Sequence, residues 1–255
     1  MNHLVIAVSA DSSLELLGKY ADVIILDKDP MPTKLKYYES VYIRSHFSTP
    51  ELSPQNYRSE IEDPISRAVA ENENVKFIDH MDTIDAIIEF EDKWHQYQKF
   101  SEFMPPTKLL SDNNSPANFT RPVYKKRLSS RGNGVTWNIT GVSGDPTDWI
   151  IQETLNIAEE IRVYTIDGKV HSVGAIRRSM SNEQKTLALN HRELVENEIQ
   201  FASKVAAKTP SLDILGLDIA RTENGELFLM EVNRSPGFGA FEKLTGVNLA
   251  DFLYK

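Results

Sequence analysis

Two carboxylates and an amide near the C-terminus, Asp218, Glu231 and Asn233, form the pattern with the clearest chemical consequence in this chain. They lie within residues 216–233, which read as two apolar strands joined at Asn224-Gly225, a strong hairpin signal. A two-residue turn there sets Glu223 opposite Glu226. Counting outward then sets Asp218 opposite Glu231, and alternation puts Asn233 on the same face as Glu231. Facing partners lie roughly 5 Å apart, where like charges repel. A divalent cation between the two acids would reverse the sign of that interaction, and hard oxygen donors suit Mg²⁺. A solvated hairpin edge would also tolerate two acids, but the flanking residues here are strongly apolar.

Upstream, residues 123–135 read as a strand running into a basic loop that contains Arg131, Gly132 and Gly134. The glycines let backbone N–H groups approach a bound oxyanion closely. Lys125, near the end of the strand, could reach phosphate oxygens as a point charge. No Gly-Lys-Ser/Thr follows, so this is not a P-loop. Residues 149–155 form an apolar strand that ends in Gln152-Glu153 and turns through Thr154-Leu155. Its backbone groups and carboxylate are of the kind that an adenine amine and ring nitrogen need. Glu160 could then accept from ribose hydroxyls. Arg162 sits inside an otherwise apolar strand, while Arg177-Arg178 and Asn190-His191-Arg192 add cations and an amide. Guanidinium groups gathered near two acids suggest a polyanionic or carboxylate ligand. Singly, each of these features is also compatible with an ordinary turn or a surface ion pair.

The elements that must carry these groups follow from pattern. The chain has 255 residues, 40% of them hydrophobic and 25% charged, as in ordinary globular domains. The net charge of −9 argues against nonspecific nucleic-acid binding. With no cysteine there can be no disulfide, thiolate metal site or cysteine nucleophile. The six histidines show no HxxH or HExxH spacing, and no Gly-X-Ser-X-Gly is present, which disfavours zinc and serine-hydrolase chemistry. The first residues read as a strand rather than a signal peptide, and no run reaches the length of a membrane helix. Cytoplasmic residence, with no membrane partner, is the resulting expectation. In the first third, strands over 4–8, 23–26, 41–43 and 75–78 alternate with helices over 12–20, 59–71 and 83–90. That order suggests a small open α/β layer with a mostly parallel sheet. A helix over 92–103 stops before Pro105-Pro106. The remainder reads as antiparallel β with a second hairpin around Asp167-Gly168 and one helix over 194–208.

In this order the segments resemble the ATP-grasp superfamily, and within it the RimK-type carboxylate–amine ligases. The tail carries most of the likeness: Met230-Glu231-Val232-Asn233-Arg234-Ser235-Pro236-Gly237, then Glu242-Lys243-Leu244-Thr245-Gly246. The resemblance implies an ATP-grasp α/β (α+β) fold. Its parts would be a pre-ATP-grasp domain over 1–91, a small subdomain with the glycine loop over 92–145, and a C-terminal subdomain with the metal site over 146–255. Asp218, Glu231 and Asn233 would hold two Mg²⁺ ions, or Mn²⁺ in their place, against the phosphates of ATP. Lys93 and Lys125 match the two ATP lysines. Gln152, Glu153, Thr154 and Leu155 match the adenine hinge, and Glu160 the ribose acid. Arg131, Gly132 and Gly134 belong to the glycine loop, which departs from the family pattern at Ser130. Asn190 and Arg192, with Arg178 as the weaker candidate, fall near the cluster around the transferred phosphate. Arg44, Ser45 and His46 are candidates for the acceptor site. The implied activity is ATP-dependent amide formation through an acyl-phosphate. Its substrates would be a carboxylate and an amine drawn from amino acids, peptides or protein tails, and the enzyme could be a homo-oligomer. Phosphoryl transfer without ligation, and nucleotide binding without turnover, are the alternatives.

Overall fold

The apolar runs of the first third form a parallel layer. In the computed structural model the described residues are 2–7, 10–25, 28–29, 38–44, 75–78, 84–110, 119–129, 134–177, 188–209 and 213–254. β1 (His3–Ala7), β2 (Asp22–Ile25), β3 (Ser40–Arg44) and β4 (Lys76–Phe77) pair in the order β2-β1-β3-β4, all parallel. The central strand β1 is buried along Leu4-Val5-Ile6-Ala7, the continuous apolar run that a covered parallel strand requires. The helix expected over 12–20 is a single turn, α1 (Leu14–Leu17). The one expected over 59–71 lies outside the described residues. α2 (Ile84–Glu91) and α3 (Lys93–Phe100) are separated by Asp92. Asp92 is extended, and its carboxylate accepts from the N–H groups of Trp94 and His95, so it caps α3.

A second sheet contains β5 (Thr107–Leu109), β6 (Pro122–Lys126), β7 (Val135–Thr136) and β8 (Trp149–Glu153), antiparallel in the order β5-β8-β6-β7. The division expected at 145/146 falls inside this sheet, because β8 pairs with both β5 and β6. One face buries Tyr124, Trp149 and Ile151 with Leu110. By alternation, Val123, Lys125 and Gln152 occupy the other.

The third sheet is built from β9 (Ile157–Ile166), β10 (Lys169–Val170), β11 (Val173–Arg177), β12 (Ala188–Glu193), β13 (Ile214–Thr222) and β14 (Leu227–Asn233). Its order is β12-β11-β9-β13-β14, with β10 on β9, and every pairing is antiparallel. Ile161, Val163, Leu215, Leu217, Ile219, Leu229 and Val232 pack on one face with Phe100 of α3 and with Ala202 and Val205 of α4 (Glu196–Ala206). The opposite face carries Glu160, Arg162 and Asp218.

The β13–β14 turn is one residue longer than the sequence suggests, starting one residue earlier on β13. Thr222 donates to the Glu226 carbonyl and Gly225 to the Thr222 carbonyl, so Glu223-Asn224-Gly225 form a three-residue loop. Gly225 takes the left-handed φ of 86° that this loop needs. Glu223 therefore does not face Glu226. The register recovers through a β-bulge at Met230: Ile219 pairs with Leu229, and Asp218 pairs with Glu231.

After β14 the chain returns to the parallel layer. Phe238, Phe241 of α5 (Gly239–Thr245), Leu249 and Ala250 of α6 (Ala250–Leu253) share one core with Val5, Leu17 and Tyr42. Arg44 lies inside this junction, 1% exposed. It pairs with Asp11 at 2.9 Å and donates to the Pro236 carbonyl at 3.3 Å, with Tyr42 and Phe238 alongside. Arg44 is thus a buried staple and does not line an acceptor site; Ser45 and His46 lie outside the described residues. Removing one partner of a buried pair leaves an uncompensated charge. Asp11→Ala should therefore cost about 3 kcal/mol, read as a lower urea midpoint at unchanged slope.

Candidate functional site

Asp218 and Glu231 face one another across the hairpin, as the sequence suggests, and the compensation of their charge is local. Arg162, the neighbour of Asp218 on β9, approaches its carboxylate through Nε and through Nη2 at 2.7 Å. Arg177, on β11, reaches the same carboxylate at 3.2 Å. Burial alone would raise the Asp218 carboxyl; the two guanidiniums overcome it and hold the group below the usual carboxylate range. Glu231 receives Lys93 at 3.4 Å. The Asn233 amide lies 3.5 Å from Asp218 Oδ2 and 3.4 Å from the Gly216 carbonyl, on the same face. The bulge at Met230 makes this possible, since it sends Leu229 and Val232 to the core and leaves Glu231 and Asn233 opposite.

The second sheet and the helix α3 supply the facing cations. Lys93, first residue of α3, also donates to the Ser129 carbonyl at the start of the glycine loop. Its helix is tied to that loop by Arg127, which pairs with the Asp92 cap at 2.6 Å. Lys125 Nζ donates to Gln152 Oε1 at 2.7 Å. Although some of its surface is exposed, Lys125 is enclosed by protein beyond the first contacts. Lost hydration, then the nearby Lys93 charge, push its ammonium down to about 8 against the pull of Glu231 and Glu160. Glu160 is pushed the other way, up to about 7, by burial and by Asp218, with Arg177, Arg162 and Lys125 opposing. In the loop, Gly134 has φ 66°, and an added Cβ would meet Lys126 Cβ at 2.7 Å. Arg131 and Gly132 lie outside the described residues.

Other expected residues are placed differently. Gln152 is 2% exposed and holds Lys125 and Thr107, so its side chain is a support for the lysine. The Glu153 carboxylate accepts from the N–H groups of Thr120 and Arg121, both at 2.9 Å, and the Thr154 N–H donates to the Arg121 carbonyl. Leu155 follows on the connection to β9. Arg192 lies on the α4 face of the sheet, away from Asp218. It pairs with Glu159 and, at 2.7 Å, with the buried Glu198, which also binds Arg221. Asn190 pairs with Ile176, which packs in the α4 core, so it too falls on that face. His191 is the member of the trio whose register, opposite Ala175 and so beside Arg162, puts it on the site face. Arg178 lies outside the described residues; its neighbour Arg177 is in the site. Parity could have found it, because counting back from the turn at Asp167-Gly168 puts Arg177, not Arg178, on the face of Glu160.

Two antiparallel sheets and the helix α3 thus converge on one cluster: two acids and an amide with all-oxygen donor chemistry, ringed by Lys93, Lys125, Arg162 and Arg177. Such a cluster can hold a divalent ion and a polyanion together. Among the described residues no three of His, Cys, Asp or Glu form a metal centre, so a cation here would need Asn233 and ligand oxygens as well.

One parallel sheet followed by two antiparallel sheets that share such a site is the ATP-grasp fold. Within it, residues 139–255 match the RimK-like ATP-grasp domain. Ribosomal protein bS6–L-glutamate ligase of Escherichia fergusonii is 38% identical over 109 residues, covering 40% of this chain and 35% of the relative. The chain thus aligns with about a third of the length of this relative. Among solved structures, the ATP-grasp ligase PsnB, in complex with a phosphomimetic variant of its minimal precursor, Mg and ADP, superposes with a TM-score of 0.68 at 17% identity. That match covers 100% of this chain and 96% of PsnB. The D-cycloserine synthetase DcsG gives a TM-score of 0.67 at 14% identity, over 99% and 98% of the two chains. No helix among the described residues is long and apolar enough to cross a membrane.

The placement of Arg192 has a measurable consequence. Arg192→Ala removes charge-assisted bonds from the buried Glu198. It should lower unfolding free energy by about 2 kcal/mol, read by denaturant titration, through loss of the α4 contact rather than of the site.

Proposed function

We propose that this protein is an ATP-dependent carboxylate–amine ligase that forms an amide or peptide bond through an acyl-phosphate, releasing ADP and phosphate. The observation that carries this reading is the convergence of Asp218, Glu231 and Asn233 on a ring of four cations in an ATP-grasp fold. Asp218, Glu231 and Asn233 would hold Mg²⁺, which when bound neutralises charge on the phosphate oxygens. Lys93, on α3, and Lys125, on β6, would bind the nucleotide phosphates. Leu155 and the carbonyls at the end of β8 would face the adenine, since the Gln152 and Glu153 side chains are engaged elsewhere. Glu160 would accept from ribose. Arg162 and Arg177 stand where charge accumulates as a substrate carboxylate attacks the γ-phosphate. An amine then attacks the acyl carbon and phosphate leaves, so no nucleophile of the chain is required. The glycine loop between β6 and β7 would shield the acyl-phosphate from water. The relatives' names speak of a ribosomal protein with L-glutamate and of a precursor peptide, which makes peptide and protein carboxylates the first acceptors to screen.

ADP release measured over paired carboxylates and amines, with product mass as the second readout, tests the reaction. Release that needs both partners supports ligation, and release without an amine points to simple phosphoryl transfer. Glu231→Ala should lower turnover by at least about 10²-fold while leaving the melting temperature within a few degrees. Normal amine-dependent ADP release by that variant would overturn the assignment.

A pH profile gives an independent check. Lys125 is charged below about 8 and neutral above it. Bound phosphates favour the charged form, so binding takes up a proton in the alkaline range. Metal-free ADP affinity should hold up to about pH 8 and then fall by about tenfold per pH unit. Lys125→Arg, which stays charged, should remove that limb in calorimetric titrations.

A further inference from the structure

β14 carries two of the three proposed metal ligands yet is the last strand of its sheet. Such an edge leaves N–H and C=O groups without a strand partner. Between Glu231 and Asn233, the Val232 backbone points outward, and the side chain of Gln96 closes it. Val232 N–H donates to Gln96 Oε1 at 3.0 Å, and Gln96 Nε2 donates to the Val232 carbonyl at 2.8 Å. The same Nε2 donates to the Phe90 carbonyl at 3.0 Å, in the last turn of α2, where helix carbonyls lack internal partners. Two carbonyls on one end of the amide and an N–H on the other fix its orientation. Gln96 is 4% exposed, so none of these bonds exchanges freely with water. It stands one turn from Lys93 on α3, and Lys93 reaches Glu231 itself.

We infer that Gln96 is a positioning residue for the metal ligands: its amide substitutes for a missing strand, fixes the peptide groups between Glu231 and Asn233, and keeps them in register with Lys93. Freed from it, the last residues of β14 would retain β13 on one side, with the Leu229 N–H bond to the Phe103 carbonyl as the nearest backbone anchor on the other. Both proposed ligands would then lose a fixed geometry, which a small divalent ion demands more strictly than a flexible polyphosphate does. Lys93 and Lys125 would be unaffected in charge. The inference rests on the proposed metal role of Glu231 and Asn233.

The test uses the full chain and three variants, Gln96→Met, Gln96→Glu and Glu231→Gln. Mn²⁺ is titrated into protein with stoichiometric ADP and followed by the signal of free Mn²⁺. ADP binding without metal is measured by calorimetry, and exchange of the Val232 amide in the free protein by hydrogen–deuterium exchange. Gln96→Met keeps length and removes all three bonds. It should weaken Mn²⁺ by about tenfold or more, the effect typical of groups that orient metal ligands, and leave metal-free ADP affinity within about twofold. Its Val232 amide should exchange faster while the core strands stay protected. Gln96→Glu keeps the acceptor for the Val232 N–H and should fall between Gln96→Met and the parent; it carries the comparison if Gln96→Met does not fold. Parent-like Mn²⁺ affinity in Gln96→Met, or an equal loss of Mn²⁺ and ADP with general deprotection, overturns the inference. Equal Mn²⁺ affinity in Glu231→Gln and the parent instead overturns the metal assignment on which it stands.

Discussion

β14 has to keep Leu227, Leu229 and Val232 against the core while presenting Glu231 and Asn233 on the opposite face, and simple alternation cannot do both. Residues 227, 229 and 231 would share a face in an unbroken strand, which would drive Glu231 into an apolar layer at a cost of several kcal/mol. The extra residue at Met230 switches the phase. It also absorbs the odd residue of the Glu223-Asn224-Gly225 turn, so that Asp218 still meets Glu231. Turn length and bulge offset one another, and the pairing of the two acids depends on both being present.

Once those acids face each other, the rest of the site answers their charge. The Arg162 and Arg177 side chains arrive from adjacent strands of the same sheet, so rigid hydrogen-bonded neighbours fix their distance from Asp218. Lys125 arrives from a different sheet and Lys93 from α3, and their position depends on Gln152, Arg127 and the Asp92 cap. The result is a division of labour. Fixed guanidiniums hold the Asp218 carboxyl below its usual range, while the lysines are held by side-chain and loop contacts. Low hydration makes the Lys125 charge costly, a cost that the proposed phosphate ligand would offset.

How much of this was legible in the sequence follows from which interactions are local. The pairing of Asp218 with Glu231 came from a hairpin count, and it survived only because two errors of one residue, at the turn and at Met230, cancel. The parallel layer, the turn at Asp167-Gly168 and the helix α4 follow from periodicity and turn chemistry, which are properties of short segments. Arg192 reads as a phosphate-side residue from the resemblance, and residues 178–187 contain no Gly or Pro turn signal to set the parity of β12; the structure pairs it with Gly174, on the α4 face. Its partner Glu198, an acid on a helix that packs across the far face, gave no sequence signal. Gln152 matches the adenine hinge by resemblance; the bond of its side chain to Lys125 depends on the register of β6 against β8, which the chain does not state locally.

The contacts that bring the sheets together share one chemistry: long polar side chains that end on backbone carbonyls. Arg234 donates to the Ile43 carbonyl at 2.7 Å and pairs with Glu91 at 3.1 Å, Arg44 ends on Pro236, Lys93 on Ser129, and Gln96 on Phe90 and Val232. The Phe90, Val232 and Ile43 carbonyls lie near an element end or a sheet edge, and those of Ser129 and Pro236 lie in the loops that follow strands. Apolar packing alone would let one layer slide against another, because it is insensitive to small shifts along the interface. A directional bond to a fixed carbonyl does not tolerate the same shift. In a protein whose site draws Lys125 from one sheet and Glu231 from another, these bonds set the register between layers, as the ladder sets it between strands.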